Sequence, residues 1–257
     1  MLEEPYRWVE AINNRRDYLQ DQLAGGSPVV GTTYAGGVLL LTTTPGPRKL
    51  FEVYNEMAFA AVGHAADIEK LRKAVIDIAH IEGFNLSAAD VTLQRLVSFG
   101  LGPLMKAAFD EIFRSPFIAR VMMAELDPGG GGDAFCTIDA DGSFAQSGRA
   151  AALGGSEESV SVMVDKLRES GHDLPLEQAL GAALEAWGLG RLTLDAEDGG
   201  VSPGDEAVRE FLRGGLEGFK VEAAVLDRDR AAKSKFSLLA ADDLAASLSA
   251  YVGTEPP

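Results

Sequence analysis

Cysteine is almost missing from this chain of 257 residues, Cys136 being the only one. That excludes an intrachain disulfide and any multi-cysteine metal site. Cys136 lies in a strand-like run, 134–138, and reads as a buried, inert thiol. Histidine is nearly as scarce: His64, His80 and His172 share no metal-ligand spacing, so no metal and no other cofactor is expected. Positive charge is also short, with 23 Lys and Arg against 39 Asp and Glu and a formal net charge of −16. Such a surface repels phosphate, which argues against nucleic acid and anionic membranes as partners. No apolar run approaches the length of a membrane-spanning helix. The opening Met-Leu-Glu-Glu lacks the basic and apolar regions of a secretory signal, so a cytoplasmic location is expected.

Common catalytic motifs are absent as well. Ser147, Ser156 and Ser202 have no Gly-x-Ser-x-Gly context, so a serine-hydrolase triad is not supported. Gly129 to Gly132 form a run of four glycines, but no Lys-Ser/Thr follows and no helix opens there. The run reads as a hairpin tip rather than a phosphate cradle.

What the chain does have is 46% apolar and 24% charged residues, ordinary for a soluble protein that can bury a sizeable core. With no repeat and no linker, a single domain over 1–257 is expected. The organising stretch is Val29 to Gly63. Two apolar runs flank Ala35-Gly36-Gly37, a strong hairpin signal, and two more, 49–54 and 57–62, flank Asn55-Glu56. Four strands followed by a long helical pattern indicate α+β rather than alternating α/β.

Before this stretch, 3–23 has helical period through Tyr6, Val9, Ile12, Leu19 and Leu23, and Gly25-Gly26 end it. After it, 64–83 is amphipathic through Ile68, Leu71, Val75 and Ile78, with Gly83 as its stop. Ser87 with Asp90 reads as an N-cap for the next helix, which runs to Ile112 and should kink near Gly100–Pro103. Strands are expected at 117–127, 133–138, 143–146 and 150–153. Helices follow at 157–170, capped by Ser156, and after Pro175. The acidic stretch 195–206 reads as a solvated excursion. Phe219, Val221, Ala223 and Val225 alternate as a strand, Phe236 and Leu238 open another, and a helix through Leu244, Leu248 and Tyr251 precedes a frayed tail, 252–257.

The string Tyr34-Ala35-Gly36-Gly37-Val38-Leu39, then Lys49-Leu50, Tyr54 and Phe59-Ala60-Ala61-Val62-Gly63, resembles a proteasome core subunit, most closely the bacterial α type. The likeness continues through Asp90-Val91-Thr92 and Val221 to Asp227. It implies a four-layer αββα sandwich, the fold of N-terminal-nucleophile hydrolases, with two antiparallel sheets between helix layers. It also implies a heptameric ring of non-catalytic subunits stacked on proteasome β-type subunits. That ring gates the entry of unfolded protein substrates and docks an AAA+ ATPase or other activator by a C-terminal tail. A helix before the first strand suits an α-type subunit, and Arg15, Arg16 and Tyr18 on it are the candidate assembly and gating residues. The tyrosine–aspartate–arginine gate motif of archaeal and eukaryotic α-subunits is absent.

Two residues have rival readings. By the resemblance, the threonine nucleophile of active β-subunits falls on Ser27 after Gly26, and their catalytic lysine falls on Lys49. A self-processing peptidase is therefore the alternative, and a self-assembling scaffold without proteolysis is a third reading. Against activity, the family's catalytic aspartate falls on Thr43, and Pro28 follows Ser27 directly. In α-type subunits the matching lysine attracts an activator's C-terminal carboxylate, which makes Lys49 the candidate docking residue.

Overall fold

The computed structural model describes residues 4–111, 113–129, 132–171, 173–195, 203–214 and 220–249. Expectations for Ile112, His172, Ser202, Phe219, Tyr251, the tail, the centre of the glycine run and most of the acidic stretch lie outside those residues. Helix α1 (Glu4–Ala24) leads into strands β1 (Val29–Tyr34), β2 (Gly37–Thr44), β3 (Leu50–Tyr54) and β4 (Met57–Gly63). Helix α2 (Ala65–Asn85) follows, then α3 (Leu93–Arg95) and α4 (Gly102–Asp110), joined through a π-turn at Leu96–Leu101. Strands β5 (Ala119–Glu125), β6 (Ala134–Ile138), β7 (Phe144–Ser147) and β8 (Ala150–Leu153) precede helices α5 (Glu157–Glu169), α6 (Leu176–Asp195) and α7 (Asp205–Gly214). Strands β9 (Lys220–Asp227) and β10 (Phe236–Leu238) and helix α8 (Ala241–Leu248) close the described chain.

The strands form two antiparallel five-stranded sheets, ordered β10-β9-β2-β1-β8 and β3-β4-β5-β6-β7. All eight residues of β2 are buried, because one face meets the other sheet and the other meets helices. Val38 and Leu40 point between the sheets, alongside Val62, Met122 and Phe135. Leu39 and Leu41 point outward to α6, where Trp187 is 1% exposed. On the far side, Phe59, Val121 and Met123 pack against Leu71, Val75, Leu101 and Met105 of the α2 and α3–α4 layer. This is the αββα sandwich. Each fully buried aliphatic side chain in it stabilises the fold by about 1.5–3 kcal/mol relative to an exposed one.

Two glycines are required by backbone approach. Gly37 has φ +147°, and a Cβ there would strike the Leu226 carbonyl of β9. Gly63 has φ +135° against the Ile118 carbonyl. Only glycine takes such φ without strain.

Local details differ from the sequence reading in four places. Gly83 lies inside α2, which runs on to Asn85. Ser87 binds the Asp90 carboxylate with its hydroxyl, and the cap of the next helix is Thr92, which accepts from Arg95 N at 3.4 Å. The kink expected near Gly100–Pro103 is taken up by the π-turn, where Gly102 N–H reaches the Val97 carbonyl five residues back. Helix α7 begins inside the acidic stretch, at Asp205, with Val208 and Leu212 buried on the α6 layer. Ser156 caps α5 as expected, accepting from Ser159 N at 3.1 Å.

Candidate functional site

The site lies where α1 gives way to β1. Gly26 N–H closes the helix on the Leu23 carbonyl at 3.0 Å, and Ser27-Pro28 then enters the strand. The Pro28 carbonyl accepts two buried donors, Thr42 Oγ1 at 2.7 Å and Trp187 Nε1 at 3.1 Å, which fixes the junction against the sheet and α6. The Ser27 hydroxyl donates to the Thr43 carbonyl in β2. Lys49, just before β3, donates from Nζ to the Ser27 carbonyl at 3.1 Å. The fold thus brings together Ser27, Thr43 and Lys49, the three positions singled out from sequence.

It adds a fourth group that sequence reasoning missed. Glu222 of β9 accepts from Lys49 N–H at 3.0 Å and from Leu50 N–H at 3.1 Å, one carboxylate oxygen each. Arg48 Nε stands 3.9 Å from the same carboxylate. A signal for Glu222 was available. It shares a strand face with Ala224 and Leu226, which pack between the sheets, while Val221, Ala223 and Val225 face the helices. A carboxylate on a face that packs inward needs dedicated partners. Burial pushes the Lys49 ammonium down to about 8, with the Glu222 charge opposing that fall.

This arrangement holds little catalytic equipment. An N-terminal nucleophile uses its own free amine, so Ser27 could act as one only after cleavage of the Gly26–Ser27 bond. Thr43 offers no carboxylate, and its Oγ1 is buried without a hydrogen-bond partner. The Ser27 hydroxyl points its proton at a carbonyl, which is not a base. Among the described residues here, Lys49 and Glu222 have the character of one, and Glu222 is occupied by two backbone N–H groups.

The other nominated residues lie elsewhere. His64 precedes α2, and His80 stacks edge-on against Tyr54 with ring centroids 5.3 Å apart. Among the described residues no three metal-ligating side chains converge. Cys136 is buried, and its thiol is pushed up to about 11 by that burial. No helix of the described residues is long and apolar enough to cross a membrane.

The α1 residues bind the body of their own chain. Leu19 and Leu23 pack on Phe109 and Ala140. Arg15 donates to the carbonyls of Glu111, at 2.9 Å, and Arg114, and Arg16 pairs with Asp141 at 3.4 Å. Gln20 bonds the Gly155 carbonyl and accepts from Arg120 at 2.9 Å. Arg120 also reaches Asp139 at 3.1 Å and the Gly154 carbonyl at 2.7 Å, so one guanidinium ties α1 to two loops. Tyr18, Trp8 and Val9 remain on the outer surface of α1, 47, 47 and 57% exposed. A further exposed apolar set, Ile81, Phe84, Leu86 and Phe99, lies along the outer helix layer of α2 and the π-turn.

Comparison with known proteins gives one consistent result. The family model described as "Proteasome subunit" matches residues 24–188, well over half the chain. The proteasome subunit alpha of Frankia alni is 29% identical over 92% of this chain and 91% of its own length. That of Streptosporangium roseum is 31% identical over 88% of this chain and 80% of its own length. That of Actinosynnema mirum is 30% identical over 86% and 78%, respectively.

Proposed function

This chain belongs to the proteasome subunit family, and we propose that it is a non-catalytic α-type subunit of a bacterial core particle. As one domain, seven copies form an outer ring on β-type subunits that contain the protease sites. The ring admits unfolded protein substrates through a gate and docks an ATPase or other activator. The observation that carries the non-catalytic part is the Ser27 junction: a serine hydroxyl facing a carbonyl, with threonine in place of a carboxylate. The helix ahead of it is anchored to the body by Leu19, Leu23, Arg15, Arg16 and Gln20, unlike a segment due for removal. Exposed Trp8, Val9 and Tyr18 on α1 offer a surface to a neighbouring subunit, and the apolar set on the α2 layer offers one to a β-type subunit.

Lys49 is the docking cation in this reading. A tail carboxylate that loses it would be left partly desolvated, a cost of roughly 2–5 kcal/mol for a buried, hydrogen-bonded pair. Because its ammonium titrates near 8, docking weakens as pH rises through that value.

The second reading, a self-processing peptidase, is favoured by one observation, the proximity of Lys49 to Ser27, whose backbone carbonyl accepts from Nζ at 3.1 Å. Co-expression with a β-type subunit separates the two. We expect a mixed particle whose peptide hydrolysis needs the β-type subunit and survives Ser27→Ala, with residues 1–26 retained by intact mass. A chain beginning at Ser27, with activity lost in Ser27→Ala, would overturn the proposal. A particle that forms without any β-type subunit and never hydrolyses peptides would instead favour a scaffold.

A further inference from the structure

The two sheets end on the same side of the sandwich in β3 and β10, and among the described residues neither strand has a strand partner on its outer side. Between them lies a cleft of about 570 Å³ lined by Arg48, Phe51, Arg72, Arg230, Phe236 and Leu238. Glu52 is the one carboxylate in its lining. The apolar floor is half-buried.

The guanidinium groups are not equivalent. Arg72 is committed, with two hydrogen bonds to Glu69 at 2.7 and 2.8 Å and its Cζ over the Phe51 ring, 5.0 Å from the centroid. Arg48 has 52% of its side chain exposed and only a 3.9 Å approach to Glu222, which is already occupied by two backbone N–H groups. Arg230 donates from Nε to the Ser234 carbonyl at 3.1 Å and pairs with no carboxylate among the described residues. The turn that carries it is rigid: Asp229 N–H bonds the Asp227 carboxylate at 2.9 Å, and Lys235 Nζ caps the Arg228 and Arg230 carbonyls. In a chain of net charge −16, Arg48 and Arg230 set two cations beside an apolar floor, with Glu52 in the same lining and Glu222 3.9 Å from Arg48.

We infer that this cleft docks an extended acidic segment of a partner protein, with carboxylates to Arg48 and Arg230 and alternate apolar side chains on Phe51, Phe236 and Leu238. The chemistry follows from the geometry. A free strand edge recognises an extended backbone, and the period of two sends alternate side chains to opposite surroundings. Guanidinium groups with spare donors select carboxylates. This surface is separate from the Lys49 contact, because Lys49 turns inward to Ser27 while its neighbour Arg48 lines the cleft.

The test is fluorescence anisotropy on the full chain with a labelled peptide of alternating glutamate and valine. Its glutamine-for-glutamate counterpart is the comparison. We expect the glutamate peptide to bind at least about ten-fold tighter than its counterpart, and to weaken by about ten-fold or more in R48E/R230E and in R48Q/R230Q, and with added salt. Arg168→Glu on α5, with a side chain 61% exposed, serves as the remote control and should bind as the parent does. Thermal melts confirm that the variants fold. Equal binding of both peptides, unchanged binding in the double variants, or equal loss in Arg168→Glu would overturn the inference. So would a parent that ignores the peptide while R48E/R230E alters its sedimentation, because the cleft would then be a contact between copies. None of these outcomes bears on co-assembly with a β-type subunit, which is measured separately.

Discussion

Glu222→Gln is the most informative single substitution, because the Glu222 carboxylate holds the mouth of the Ser27–Lys49 site in place. It removes one charge and one acceptor oxygen while keeping the side chain's shape. In the parent, two backbone N–H groups donate to the carboxylate at 3.0 and 3.1 Å, and the side chain is 12% exposed. Glutamine can accept from one of them and presents an amide N–H to the other. Hydrogen bonds to a charged acceptor contribute about 1.5–3 kcal/mol each. Losing one, and weakening the other, should cost about 2–3 kcal/mol, softened by easier desolvation of a neutral side chain. For a chain of this size that corresponds to a Tm lowered by about 4–12 °C. Urea unfolding at pH 7 should show the lower midpoint with an unchanged slope.

The same substitution has a second, independent readout. Glu222 is the charge that props up the Lys49 ammonium against burial, so the Lys49 titration should move below about 8. Acylation of Lys49 by an amine-reactive ester, followed by mass spectrometry across pH, reports that midpoint. The linkage sign is definite. Lys49 is depressed to about 8 in the folded chain from 10.5. Folded protein therefore binds fewer protons between those values, and stability rises with pH across that window. The penalty is complete below about 8, and in Glu222→Gln its lower edge moves to more acid pH. A midpoint that rises in the variant, or an unchanged urea midpoint, would refute the assignment of Glu222 as the holder of this site.

Three more outcomes are expected. Thr43→Val should raise stability by up to about 1 kcal/mol in urea unfolding, since the Thr43 hydroxyl is buried without a partner; a clear loss would mean that the hydroxyl is bonded. Cys136 should resist a thiol-reactive disulfide in the folded chain and react on unfolding, because it is fully buried and its thiol is raised to about 11. Fast labelling under native conditions would contradict the packing. Deleting residues 1–23 should impair assembly or raise the peptide hydrolysis of the mixed particle, since it strips the Leu19 and Leu23 contacts and the Arg15, Arg16 and Gln20 bonds. Normal assembly with unchanged hydrolysis would leave α1 neither role.

Much of the fold was legible because local signals agreed with it. The Gly36-Gly37 turn, the strand runs of 29–63, the period of α2 and the Ser156 cap all appear where those residues put them. Thr92 and the π-turn were harder to see. Several residues near 87–103 can cap or break a helix, and packing against α2 decides among them. Helix α7 had a signal in Val208, Phe211 and Leu212 at helical spacing, which the acidic stretch at its start obscured. The site was half legible. Ser27, Thr43 and Lys49 lie within 23 residues of one another in sequence, but Glu222 reaches Lys49 across a separation of 173 residues. That contact exists because β9 pairs with β2, Glu222 opposite Thr42, and no local pattern announces a pairing between strands so far apart.

The proposed non-catalytic reading of Ser27 and the anchoring of α1 are two sides of one arrangement. A free amine at Ser27 would require the chain to begin there, and α1 could not then be attached. With α1 attached, the groups around Ser27 take on joint work at a helix-to-strand corner. The Ser27 hydroxyl ties the corner to β2, Lys49 ties it to the segment before β3, and Pro28 collects donors from Thr42 and Trp187. On the far side, Gly155 lies so close to the Ala24 backbone that a Cβ there would strike it. The direction in which α1 leaves the body is therefore fixed by packed, hydrogen-bonded groups on both sides, not by a flexible linker. In the proposed α-type reading, this is the corner at which Ser27 and Lys49 serve a structural end, and the Ser27→Ala comparison tests it against the rival in which they are a nucleophile and its base.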